Sequence, residues 1–139
     1  MNILALDLGK FNTMCCFFDT KTRTHTFLNA ATERNYLTTV FKKHKIDLIV
    51  MEACGPSGWI NDLAISVGLK TLVCSTNEDA WRWSNVKRKT DKDDALKLAR
   101  MASMNELKAV HMPSAEHREF RSLVKYRKTL DYRICKIGR

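Results

Sequence analysis

A chain of 139 residues with 45% hydrophobic content has room for one domain with a buried core and one appended element. Its formal charge of +9 is high for that length and points to a polyanion, most commonly nucleic acid; an anionic membrane would call for an amphipathic basic helix with a bulky apolar face. No apolar run approaches a bilayer-crossing length or a signal peptide, and five cysteines without CxxC spacing exclude a disulfide framework and a zinc site, leaving reduced thiols in a cytoplasmic protein.

The charge is unevenly spread. Residues 1 to 84 carry 9 Lys and Arg against 8 Asp and Glu, whereas residues 85 to 139 carry 15 against 7. The basic surface is therefore C-terminal. The four histidines, at 25, 44, 111 and 117, form no HxxxH or CxxH pair and read as boundary residues.

In chain order, residues 2 to 7 read as a buried strand turned by Gly9 and Lys10. Residues 13 to 18 and 24 to 29 follow as second and third strands, joined by short turns that imply an antiparallel meander. Thr32 and Glu33 open a helix with Tyr36, Leu37, Val40 and Phe41 at helical spacing, and it leads to an apolar run, 47 to 51, suited to a parallel central strand. A small-residue loop, 53 to 58, precedes a helix over 59 to 67 with Trp59, Ile60, Leu63 and Ala64 inward, stopped by Gly68. Residues 70 to 74 read as a fifth strand. A short helix over 77 to 83 follows, whose Trp81 and Trp83 cannot both face a core, and then a basic loop from 84 to 90.

Lys89-Thr90-Asp91-Lys92-Asp93-Asp94-Ala95 begins the next helix. Thr90 caps it and Asp93, three residues on, closes a capping box, which is a sufficient structural role for Asp93. Asp91 and Asp94 share one helix face, the spacing at which a helix presents two oxygen ligands to one hard cation. Two further acids stand at strand ends, Asp7 after Ile3-Leu4-Ala5-Leu6 and Glu52 after Leu48-Ile49-Val50-Met51. Singly, each acid has an ordinary reading as a turn or helix-start residue. Together, Asp7, Glu52, Asp91 and Asp94 describe a metal-dependent phosphoryl-transfer site.

Met112-Pro113-Ser114 breaks the chain ahead of a last helix from Ala115 onward. Phe120, Leu123, Arg127, Leu130, Ile134 and Ile137 form a heptad seam in it, expected to leave the body and pair with another chain, or else to fold back as core. The pattern ends without a stop signal and reads as a truncated helix. The order of elements is α/β, a five-stranded mixed sheet flanked by helices in the ribonuclease H-like (RuvC-like) arrangement, with residues 1–112 as the domain and 113–139 as a basic helix bearing a coiled-coil seam.

Three ordered motifs, Leu4-Ala5-Leu6-Asp7-Leu8-Gly9-Lys10, Met51-Glu52-Ala53-Cys54-Gly55 and Lys89-Thr90-Asp91 through Asp94-Ala95, resemble the RuvC-like N-terminal domain of DEDD transposases. These form the insertion-sequence "one-ten" family, related to the Piv and MooV DNA invertases, and the resemblance spans nearly the whole chain. It implies that Asp7, Glu52, Asp91 and Asp94 are the catalytic, metal-binding tetrad, using Mg2+ or Mn2+ for DNA strand cleavage and exchange guided by an RNA. Such transposases also carry a C-terminal domain with a nucleophilic serine, and none of the seven serines here lies in a segment matching it, so an isolated domain or shortened relative is expected.

The partners that follow are DNA, a guide RNA and a second copy through the last helix, with no membrane. Lys10, Lys87, Arg88 and Lys89 beside the acids, and Arg118, Arg121, Lys125, Arg127 and Lys128 on the last helix, are the candidate nucleic-acid ligands. Two other functions fit parts of the pattern. Asp7-Leu8-Gly9 followed by Thr13 resembles the phosphate loop of sugar kinases and actin, which bind nucleotide between two such domains; the basic residues alone would suit a non-catalytic nucleic-acid-binding module.

Overall fold

The alternation of apolar residues in the first strand decides how the sheet is covered. In the computed structural model, which describes residues 1–75 and 90–137 and side chains through Ile134, β1 (Asn2–Asp7) turns Leu4 and Leu6 to one face and Ile3 and Ala5 to the other. Both faces are buried, so β1 lies at the centre of the sheet. β2 (Asn12–Asp19) and β3 (His25–Ala31) continue it as an antiparallel meander; β4 (Leu48–Glu52) and β5 (Thr71–Cys74) extend it in parallel on the other side. The order β3-β2-β1-β4-β5 is the expected mixed sheet of the ribonuclease H-like fold.

α1 (Arg34–Lys43) and α2 (Ser57–Ser66) cover the first face, packing Leu37, Val40, Phe41, Ile60, Leu63 and Ala64 on Leu4, Leu6, Ile49 and Met51. α3 (Asp91–Ser103) covers the second, with Ala95, Leu98, Ala99 and Ala102 against Ile3, Ala5, Cys16, Phe18, Val50 and Cys74. Small residues on α3 bring its backbone close to the sheet. Cys15, Cys16 and Cys74 are buried free thiols that act as small hydrophobes, and burial pushes the Cys15 and Cys16 thiols up to about 12 and about 11.

Two helix starts differ from the sequence expectation for local reasons. α1 begins at Arg34 because the Thr32 hydroxyl is engaged elsewhere, donating to the Gly9 carbonyl at 2.8 Å and meeting the Thr13 hydroxyl at 2.9 Å. α2 begins at Ser57, two residues early, since the Ser57 hydroxyl donates to the Cys54 carbonyl at 2.7 Å and accepts from the Cys54 amide at 3.1 Å, folding the loop into the first turn. Trp59 consequently sits at the core margin, half-buried. Gly68 ends α2 as expected, in the left-handed region at φ 86°. The short helix expected over 77 to 83, with Trp81 and Trp83, lies outside the described residues.

After α3 the chain returns along β5, where Val110 donates to the Val73 carbonyl at 2.8 Å, and then enters α4 (Ala115–Ile137). Arg118, expected among the phosphate ligands, is instead the fastener of this helix. Its guanidinium pairs with Asp62 of α2 and donates to the Pro113 carbonyl at 2.6 Å, lying so close over Gly58 that a Cβ there would meet Nε at 2.6 Å. With both ends of the fork engaged and half-buried, it has little left for a phosphate. Beyond Arg118 the helix leaves the body, and Phe120, Leu123, Leu130 and Ile134 of the seam are exposed.

Candidate metal centre

Strand periodicity aims the first two acids. Asp7 continues the face of Ile3 and Ala5, and Glu52 the face of Leu48 and Val50, so both belong to the side that α3 covers. β1 and β4 run parallel with Leu6 opposite Met51, and one further step along that register sets Asp7 level with Glu52. Parallel pairing thus brings two strand-end carboxylates to the same edge of the sheet.

The start of α3 supplies the other two. Thr90 and Asp93 form the expected capping box: the Asp93 amide donates to the Thr90 hydroxyl at 3.2 Å, while the Asp93 carboxylate accepts from the Thr90 amide at 3.3 Å and its hydroxyl at 2.8 Å. Asp93 is thereby committed to the backbone. Asp91 and Asp94, on the neighbouring face of the same turn, meet Asp7, and one carboxylate oxygen from each of the three lies within 4.8 Å of the others. Glu52 stands outside this tight trio, yet its charge still reaches the Asp7 carboxyl.

Asp7 and Asp94 are half-buried and Asp91 is exposed, and Asp7 bears the electrostatic cost. Burial is the largest cause of a rise in its pKa to about 6; the charges of Asp91 and Asp94, a hydrogen bond to Asp91 and the charge of Glu52 add to it. Nearby Cys54 is also raised, by burial first and then by the charges of Glu52 and Asp7, against the Ser57 hydrogen bond. Such a concentration of negative charge fits a hard divalent cation: three convergent carboxylate oxygens, one of them exposed to solvent, match a site that binds an ion through a few carboxylates and keeps several waters.

This arrangement is accompanied by a family match over almost the entire chain. The model of the IS110-type DEDD transposases, described as Transposase, matches residues 4–134, a span that includes all four acids and most of α4. The chain belongs to this transposase family. No curated protein matches it. Among solved structures, the crystal structure of the catalytic core domain of BIV integrase is similar with 8% identity and a TM-score of 0.38, covering 91% of this chain and 97% of that one.

In this transposase domain the candidate nucleic-acid ligands divide by position. Lys10 is exposed on the β1–β2 turn, at the same sheet edge as Asp7. Lys87, Arg88 and Lys89 lie outside the described residues. Arg121, Lys125 and Lys128 are exposed and follow Arg118 at spacings of three, four and three, so they share its helix face. Since Arg118 is fastened to α2, that face looks toward the loop after Glu52, and Arg121 lines a cleft with Cys54, Gly55, Ser57 and His111. The apolar seam, with Arg127 in it, lies on the opposite side of α4. A larger cavity of about 470 Å³ sits at the other end of the sheet, by Asn2, Asp19 and Ile46, remote from the acids.

Sequence reasoning missed the Arg118–Asp62 link. A signal existed in Gly58 and Asp62, four apart on α2, which together offer a flat landing site beside an acid, but nothing in the sequence says which cation arrives.

Proposed function

We propose that this transposase domain cleaves and exchanges DNA strands by metal-dependent phosphoryl transfer, with Asp7, Glu52, Asp91 and Asp94 holding Mg2+ or Mn2+. The observation that carries the reading is the convergence of Asp7, Asp91 and Asp94 at the edge of a sheet whose register also brings up Glu52. When bound, the cation would polarise the scissile phosphoryl group and lower the pKa of bound water. Asp7, rigid at the end of the central strand, fixes the position of the site; Asp91 and Asp94 take their orientation from the capped first turn of α3. A crystal soaked in Mn2+ is expected to give an anomalous peak between the Asp7, Asp91 and Asp94 carboxylates. A map without one refutes the metal site.

The family match weighs against the sugar-kinase and actin-like alternative, and the acid cluster favours catalysis over a binding module alone. DNA and a guide RNA would both be held through phosphates by the Arg121, Lys125 and Lys128 stripe, together with Lys10 and residues 87 to 89, in the cytoplasm. We further propose that the exposed seam of α4 pairs with the same helix of a second copy. An apolar stripe of Phe120, Leu123, Leu130 and Ile134 facing water is costly, and joining two catalytic domains suits an exchange between two DNA partners. Light scattering should find a dimer for the chain and a folded monomer for Leu130→Glu; a monomer in both cases refutes the pairing.

A further inference from the structure

The turn between β1 and β2 carries an aromatic residue with no partner in either core. Phe11 is 75% exposed, the most exposed large hydrophobic side chain among the described residues. A lone exposed apolar residue is commonplace. Here, however, its support is built with unusual care.

The Phe11 carbonyl accepts from the Thr32 amide at 2.9 Å, and the Thr32 hydroxyl donates to the Gly9 carbonyl at 2.8 Å and meets the hydroxyl of fully buried Thr13 at 2.9 Å. Gly9 permits the tight path, since a Cβ there would lie 2.3 Å from the Asn12 carbonyl oxygen. The turn is pinned on both sides of Phe11. The Lys10 ammonium stands over one face of the ring, 5.3 Å from its centroid, and at 75% exposure the ring still offers its other face to a ligand. All of this lies four residues beyond Asp7, at the edge of the sheet where the carboxylates meet.

We propose that Phe11 stacks on an unpaired nucleobase of the strand whose phosphate lies at the acidic site. The inference rests on the functional reading above and adds a positioning residue to it. An exposed ring with a fixed backbone loses little freedom on stacking, and every base offers a π-face, so the contact holds the strand without reading its sequence. Lys10, one residue away, supplies a phosphate contact adjacent to the stacked base. A strand held at both points has its scissile phosphate positioned over the carboxylates.

The test uses the full chain in Ca2+ with single-stranded oligonucleotides carrying 2-aminopurine at successive positions. One position is expected to be quenched by the unaltered chain and by Phe11→Trp, and by neither Phe11→Ala nor Phe11→Leu, both of which bind about 10-fold more weakly. An abasic nucleotide at that position should remove the difference between Phe and Ala. Phe11→Leu separates stacking from packing: it keeps apolar bulk without a π-face, so Leu matching Phe overturns the proposal. Unchanged affinity and unchanged quenching in Phe11→Ala overturn it as well. If the unaltered chain binds no oligonucleotide, the functional reading itself fails, and the stacking role with it.

Discussion

Asp7→Asn is expected to abolish metal-dependent strand cleavage, by roughly 10³-fold or more, while making the metal-free domain more stable. A cation that supplies several kcal/mol of transition-state stabilisation is worth about that factor, and Asn offers it a neutral, weaker ligand in place of the central carboxylate. The stability gain follows from the repulsion that surrounds Asp7. Its folded pKa is raised from the ordinary 3.8 to about 6, so its stabilising contribution is fully present below 3.8 and is lost as pH rises through about 6. Without metal, the melting temperature of the unaltered chain should therefore fall as pH rises from about 4 to about 7, and Asp7→Asn should flatten that fall. Metal affinity runs the opposite way, weakening below about pH 6 because the cation must displace the proton. Calorimetry in chelator across this range, followed by titration with Mn2+, checks both signs. An Asn variant that melts lower than the unaltered chain at neutral pH would show that Asp7 is held by favourable contacts rather than strained by its neighbours.

Replacing Arg121, Lys125 and Lys128 together by alanine should weaken duplex DNA binding by about two orders of magnitude at moderate salt. Each lost phosphate contact removes about 0.9 from the slope of log affinity against log salt, so the slope should become shallower by about 2 to 3. All three side chains are exposed, and Ala is the best helix former, so the fold and the acidic site should be unaffected. Binding isotherms between 50 and 300 mM salt decide it, a range chosen so that the slope can be measured. If affinity falls without a change in slope, the stripe acts through the position of α4 and not through phosphates.

Much of this was legible in the chain because its signals are local. The two-residue alternation of Ile3 to Asp7 and of Leu48 to Glu52 requires only a strand with two buried faces, and it predicts on which side each carboxylate emerges. Thr90 and Asp93 form a capping box through bonds that span three residues, so the start of α3 and the structural role of Asp93 could be read without the fold. The departures from expectation involve residues whose hydroxyl or guanidinium finds a distant partner. Thr32, read as a helix opener, spends its hydroxyl on Gly9, and Arg118, read as a phosphate ligand, spends its guanidinium on Asp62 and Pro113.

The sequence by itself therefore determined the elements found among the described residues, the positions of four acids at strand ends and a helix start, and the basic character of the last helix, since backbone periodicity and capping depend on neighbours along the chain. Only the tertiary structure decided that Asp7, Asp91 and Asp94 close into a trio with Glu52 beside it, because their spacing depends on how closely the small face of α3, Ala95, Ala99 and Ala102, settles on β1. It also decided which face of α4 looks toward the loop after Glu52. The reason is one long-range ion pair, between residues 56 positions apart, that fixes the rotation of a helix whose own pattern is the same in every orientation.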